Sequence, residues 1–154
     1  MLCFRTGNQY IYKLLQETVE LADGKIIPVK LGLSNEITSL KLSISDGSTG
    51  ANSLLKQEGT EFETIEITTV DKFVKDNHIT KVDFIKSDIE GMERNMLLGA
   101  KETLRKFAPK LAICTYHLPD DPEVLEKIIK EANSDYVVVQ LRHKLMASVS
   151  PKNN

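Results

Sequence analysis

The chain has 154 residues, enough for one domain with a core of its own and short of what two domains usually need. Hydrophobic residues make up 41% and charged residues 27%, and the net charge is −2. That balance supplies neither the basic footprint of a nucleic-acid binder nor an acidic tail, and the longest apolar runs fall well short of the ~20 residues of a membrane span.

Leu2 to Phe4 is a very short apolar run, and Thr6-Gly7-Asn8 supplies turn and cap chemistry after it. Ile11, Leu14, Leu15 and Val19 fall on one side of a helix predicted from Gln9 to Leu21, ended by Asp23-Gly24. Ile26 to Leu31 reads as a buried strand, although Pro28 inside it favours an edge position or an irregular pairing. Leu40, Leu42 and Ile44 alternate with polar residues from Thr38 to Ile44, the pattern of a half-buried strand. Ser45 to Gly50 is loop material, and Phe62, Ile65 and Ile67 belong to another extended segment.

In the second half, Thr69 or Asp71 can cap a short helix through Phe73 and Val74. Val82 to Ile85 is an apolar strand that leads into Lys86-Ser87-Asp88. One helix is predicted from Met92 to about Phe107, with Met96, Leu97, Ala100 and Leu104 on its apolar side, and Pro109 stops it. Leu111 to Tyr116 is the next strand. Asp121-Pro122 reads as an N-cap followed by proline at the first helical position, and Val124, Leu125, Ile128, Ile129 and Ala132 form the buried stripe of that helix. Tyr136 to Leu141 is the last strand, and residues 144–154 read as a tail that frays over Lys152 to Asn154. Strand, helix, strand, helix, strand from Val82 to Leu141 predicts an α/β fold with a mostly parallel sheet flanked by helices.

Cys3 and Cys114 lie far apart, each inside an apolar run, so they read as free thiols of a reducing compartment. Met1 opens straight into Leu2-Cys3-Phe4 with no basic stretch, which predicts no signal peptide and a cytoplasmic protein.

Ligands of open α/β sheets bind outside the carboxyl ends of the strands, which directs attention to Asp88 and Glu90, to His117, and to Gly32-Leu33-Ser34. Asp88, Glu90 and Glu93 put three carboxylates between a strand end and a helix start. They either complement the helix dipole or serve a ligand, by binding an amino group or taking a proton from a hydroxyl. His117 emerges at the same sheet edge and suits a general base, the ordinary histidine pKa being ~6.5. Spacing lends no specific support to a metal on Asp88, Glu90 and His117, so none is predicted. His78 and His143 are isolated in the sequence, and no G-x-G-x-x-G or P-loop occurs.

Several segments, taken in order, resemble FkbM-type methyltransferases. Thr69-Val70-Asp71-Lys72-Phe73 resembles the family's Thr-x-Asp-x-Phe segment. Val82 to Glu93, through Lys86-Ser87-Asp88-Ile89-Glu90-Gly91-Met92-Glu93, resembles the family's strand running into Lys-x-Asp-x-Glu-Gly-x-Glu. Leu98-Gly99-Ala100, Pro109, Ile113 to His117, Asp121, Tyr136 and Arg142-His143 extend the likeness, which is best over residues 62–143. The resemblance implies a Rossmann-like methyltransferase fold and transfer of a methyl group from S-adenosyl-L-methionine to a hydroxyl of a small molecule or saccharide. It implies that Asp88 sits beside the methionine part of the cofactor, with Glu90 in the same cluster. His117 would line the acceptor side, with Gly32 and Leu33 near the adenine.

Two departures accompany it. The family's first strand and glycine-rich turn would precede Leu2 and are not in this sequence, which implies a single partial domain over 1–154 whose sheet a partner or missing N-terminal segment completes. Phe4-Arg5-Thr6 stands where the family has an acidic residue that binds the ribose hydroxyls, and Arg5 cannot accept those hydrogen bonds. A non-catalytic α/β binding or interaction module derived from such an enzyme is the alternative.

Overall fold

A computed structural model of the chain describes residues 1–4, 9–44 and 61–150. The turn expected at Thr6-Gly7-Asn8, Arg5, the Ser45 to Gly50 loop and the Lys152 to Asn154 end lie outside the described residues. The elements are β1 (Leu2–Phe4), α1 (Gln9–Leu21), β2 (Ile27–Val29), β3 (Gly32–Leu33), β4 (Thr38–Ile44), β5 (Glu61–Thr68) and α2 (Val70–Asp76). They continue as β6 (Phe84–Ser87), α3 (Glu93–Leu98), α4 (Lys101–Phe107), β7 (Lys110–Cys114), α5 (Asp121–Ala132), β8 (Tyr136–Gln140) and β9 (Lys144–Val149).

The expected α/β architecture forms, but its strands pair in three separate ladders, β1-β2, β3-β5-β4 and β6-β7-β9-β8. Among the described residues three of the six pairings are parallel (β1 with β2, β3 with β5, β6 with β7), so the sheet is less parallel there than predicted. Two strands run against their neighbours. β4 runs back along β5 from Thr38↔Ile67 to Ile44↔Glu61. β9 turns back from β8 across a short turn closed by Leu141 N–H donating to Lys144 O at 2.8 Å, a connection too short for anything but antiparallel pairing. β6, β7 and β8 therefore all run one way, and β9 lies antiparallel between β7 and β8.

Lys144–Val149 is thus an interior strand and not a tail. Leu145 and Ala147 on it are buried, at the two-residue spacing that sends side chains to one face. That face of the four-stranded sheet carries Ile85, Leu111, Ile113, Tyr136, Val138, Leu145 and Ala147 into the main core. Met96 and Leu97 of α3, Leu104 of α4, and Leu125, Ile128, Ile129 and Ala132 of α5 meet them there. The alternate residues, Phe84, Val137, Val139 and Met146, remain exposed on the other face. The Ile26 to Leu31 run does not form one buried strand. It splits into β2, an edge strand paired only with β1, and β3, which joins β5, and Ile27 is exposed. Proline at the centre of β2 removes a ladder donor, in keeping with that edge position.

The single helix expected from Met92 to Phe107 is broken at Gly99-Ala100 into α3 and α4. Two contacts force the break. A Cβ on Gly99 would lie 2.1 Å from the carbonyl oxygen of Ser34, so the backbone after β3 approaches the helix end to a distance only glycine permits. Asp71 then starts the second helix. Its carboxylate accepts hydrogen bonds from Glu102 N at 3.0 Å, Thr103 N at 2.8 Å and Thr103 Oγ1 at 2.7 Å. Thr69 caps α2 itself, its Oγ1 accepting from Lys72 N at 3.0 Å.

Candidate functional site

β6 and β7 end side by side, Ser87 pairing with Ile113, so the residues that follow each strand emerge together. After β6 the chain turns sharply: Glu90 has φ +56° and Gly91 φ +97°. Positive φ is uncommon for a non-glycine residue, and such backbone persists only where its surroundings hold it. Glu93, the first residue of α3, holds this turn. Its carboxylate accepts from Ile89 N at 2.6 Å and from Gly91 N at 3.0 Å, and its side chain is 1% exposed.

The segment after β7 is pinned on both sides of His117. Thr115 N donates to His143 O at 3.1 Å, tying the strand exit to the turn between β8 and β9. Leu118 N donates to Asp121 Oδ2 at 2.8 Å, and Arg94 Nε of α3 donates to Asp121 Oδ1 at 2.7 Å. Asp121 therefore stands at the first position of α5 rather than at its N-cap, which is Asp120, and its buried carboxylate fastens the His117 segment to α3. Arg94 also donates to Asp120 Oδ1 at 2.5 Å. The guanidinium holds the Asp120 carboxyl below the usual carboxylate range.

These anchors gather three of the residues singled out in the sequence, Asp88, Glu90 and His117, around one imidazole. His117 Nε2 lies 3.7 Å from Asp88 Oδ1 and 3.6 Å from Glu90 Oε2, and Nδ1 lies 3.3 Å from Glu93 Oε1. The imidazole is 9% exposed, while the Asp88 and Glu90 side chains are 35% and 39% exposed. Lys86 Nζ stands 3.8 Å from Asp88 Oδ2. Tyr116 adds a group that sequence reasoning did not assign, its hydroxyl donating to Asp88 Oδ1 at 2.9 Å and its ring lying 4.2 Å from that of His117. The Asp88 hydrogen bond, with burial, pushes the Tyr116 phenol up to about 12, so it donates throughout the neutral range. Burial, and then Asp88, pushes the Cys114 thiol up to about 11, so this free cysteine is an inert neighbour. Tyr116 stood in the sequence only as the end of an apolar strand, and no local pattern ties it to an aspartate 28 residues earlier.

Gly32 and Leu33 stay apart from this group. Ser34, next in the chain, packs against Gly99 at the far end of α3, one helix length (about 9 Å) from Glu93.

Among the described residues, the buried side-chain polar atoms without a hydrogen-bond partner are Ser87 Oγ and both ring nitrogens of His117, all at the ends of β6 and β7. Buried polar atoms are normally paired, so this concentration of unpaired ones sets the place apart. The surrounding carboxylates select a cation. S-adenosyl-L-methionine fits that demand, carrying a sulfonium and an α-ammonium group. Asp88, Glu93 and His117 also offer one ligand atom each within 4.8 Å of one another, the spread a metal ion could draw on. The two ring nitrogens, however, face different carboxylates, and both Glu93 oxygens already serve backbone N–H groups. The set is built as an imidazole clamped between carboxylates.

Known proteins resemble this chain over most of its length. The hexuronic acid methyltransferase AglP of Haloferax volcanii is 27% identical over 134 residues, covering 87% of this chain and 54% of that protein. The chain thus spans about half the length of this curated relative. The crystal structure of methyltransferase FkbM from Methylobacillus flagellatus KT matches with a TM-score of 0.67 at 19% identity, over 96% of this chain and 36% of that one, a likeness of fold. The Methyltransferase FkbM domain matches residues 8–137, reaching further toward the N-terminus than the 62–143 expected from motifs. With that match running from the start of α1 into β8 and enclosing every member of the acid and histidine cluster, the chain belongs to the methyltransferase FkbM domain family.

Proposed function

We propose that this chain carries the catalytic part of an S-adenosyl-L-methionine-dependent methyltransferase that acts on a hydroxyl of a saccharide or small molecule. The observation that carries the proposal is the anionic cluster of Asp88, Glu90 and Glu93 around the unpartnered nitrogens of His117, at the carboxyl ends of two parallel strands. When bound, S-adenosyl-L-methionine supplies an electrophilic sulfonium methyl group. Asp88 and Glu90, the reachable carboxylates, hold its positive charges. Gly32 and Leu33 belong to the adenine side, where backbone without bulky side chains lets a flat ring approach.

The acceptor hydroxyl loses a proton as its oxygen takes the methyl, and His117 receives that proton on Nε2. Two details favour the imidazole over Asp88. Oδ1 of Asp88 already accepts from Tyr116, whereas Nε2 has no hydrogen-bond partner and faces the gap between the outer carboxylates. A saccharide acceptor is supported by the relative named for a hexuronic acid. The two free cysteines favour a reducing compartment, the cytoplasm, and no described helix is long and apolar enough to cross a membrane. Residues 1–154 form one partial domain in this reading, and a further segment or partner completes its sheet beside β1 and β6, each of which pairs on one edge among the described residues.

The test is calorimetry with S-adenosyl-L-methionine, followed by methyl transfer to a panel of uronic acids and neutral sugars. Asp88→Ala should weaken cofactor affinity by about tenfold, the loss of one exposed charge contact. His117→Ala should leave affinity unchanged and lower transfer on the order of 10²-fold. The second reading is a non-catalytic α/β binding or interaction module derived from such an enzyme. Absence of cofactor binding at millimolar concentration would leave that reading standing and sink the enzymatic one.

A further inference from the structure

The imidazole of His117 is buried, yet neither of its ring nitrogens makes a hydrogen bond, and the nearest carboxylate oxygens stand 3.3 to 3.7 Å away. No side-chain hydrogen bond fixes the ring, so its place depends on the backbone that carries it and on what packs against it. The Tyr116 ring, 4.2 Å from it, is one such neighbour. The backbone is held once on each side. Thr115 N donates to His143 O at 3.1 Å, and Leu118 N donates to Asp121 Oδ2 at 2.8 Å.

The second of these anchors is itself held from outside the segment. Asp121 is 1% exposed, and a buried carboxylate is costly unless it is paired. Its partner is Arg94, whose Nε donates to Oδ1 at 2.7 Å and whose other nitrogens reach Asp120 at the rim. At the first position of α5 a carboxylate also favours the helix dipole. The Asp121 oxygens nevertheless accept from Leu118, ahead of that helix, and from Arg94 on α3. Arg94 follows Glu93 directly. The first two residues of α3 thus hold both strand exits, Glu93 the turn after β6 and Arg94, through Asp121, the segment after β7.

We propose that Arg94, acting through Asp121, is a positioning residue of the site: it fastens the segment after β7 to α3 and so sets the His117 imidazole against the acids that follow β6. The kinetic consequence rests on His117 being the proton acceptor of the reading above. The placement itself is measured without cofactor.

The test uses the full chain labelled with ¹³C-histidine, with the ring signal of His117 assigned by its loss in His117→Ala. Asp121→Asn keeps the shape of the side chain and an oxygen for Leu118 N, but it sets an amide against Arg94 and so cuts the link to α3. Arg94→Ala cuts the same link from the other end. Both should move the His117 signal while those of His78 and His143 stay, and both should lower kcat on the order of tenfold with KM for the cofactor unchanged. Millimolar methylguanidine should restore part of the lost transfer in Arg94→Ala, which a general loss of stability would not allow. Asp120→Asn removes the contact at the rim alone and should change kcat by no more than about twofold. If Arg94→Ala does not fold, Asp121→Asn decides. An unmoved His117 signal in Asp121→Asn overturns the proposal, as does a rise in KM for the cofactor that matches the fall in kcat. If the ring moves as expected but the wild type binds no cofactor, the positioning role stands and the enzymatic reading fails.

Discussion

The two halves of this molecule bury their side chains very differently. From α2 to β9, three helices pack on one face of a four-stranded sheet, and Leu97, Leu104, Leu111, Ile113, Leu125, Ile129, Tyr136 and Leu145 are wholly buried. From β1 to β5, the buried apolar cluster among the described residues consists of Ile65 and Ile67 with Leu40 against them, while Leu21, Ile27 and Ile37 are exposed. The site sits on the well-packed half. Strand ends, a buried carboxylate and the Arg94–Asp121 bond hold the acid and histidine cluster in place there. The front half instead shows apolar surface on α1 and β2, where Leu14, Leu21 and Ile27 are exposed.

The largest effect should come from the core. Leu104→Ala is expected to destabilise by about 2–5 kcal/mol, against at most about 0.5 kcal/mol for Leu21→Ala on α1. Urea titration followed by circular dichroism measures both, and equal losses would break the comparison. Next comes Gly99→Ala, at the seam where the exit of β3 meets α3. Its methyl would enter the Ser34 backbone, so a cost of about 1–3 kcal/mol is expected, with a lower unfolding midpoint. A neutral outcome would mean that the two halves are not in firm contact there.

Asp71→Ala removes three hydrogen bonds to the start of α4 and should cost about 1–2 kcal/mol, seen as a lower Tm. Tyr136→Phe tests the core at high pH. Burial pushes the Tyr136 phenol up to about 12 from an ordinary 10, and its hydroxyl donates to Pro109 O at 2.8 Å. A raised folded pKa means that the stabilisation is complete below pH 10 and is lost as pH climbs toward 12. The variant should be less stable by about 1 kcal/mol at neutral pH and lose less than the wild type across that alkaline window. Parallel curves would remove Tyr136 from the alkaline transition.

Much of the packed half was legible in the sequence because its signals are local. The α5 stripe from Val124 to Ala132 and the strand at Leu111 to Cys114 are periodic and bounded by proline or capping residues. What escaped had its cause far away in the chain. The break at Gly99 depends on Ser34 and Asp71, and β9 was hidden because Lys144 to Val149 is weakly apolar until Leu145 and Ala147 are seen against α5 and β7. Pro28 correctly signalled an edge, but nothing local announced that Gly32 and Leu33 would leave β2 to pair with β5.

The sequence by itself determined the α/β class and the family likeness, and it put Asp88, Glu90 and His117 at strand ends, since strand ends and motif spacing are properties of contiguous residues. Only the tertiary structure decided how those residues work together. It set Nδ1 of His117 against Glu93 and Nε2 against Asp88 and Glu90, and it brought Tyr116 to Asp88. What an imidazole faces follows from groups on two strands and a helix that meet only when the chain is folded.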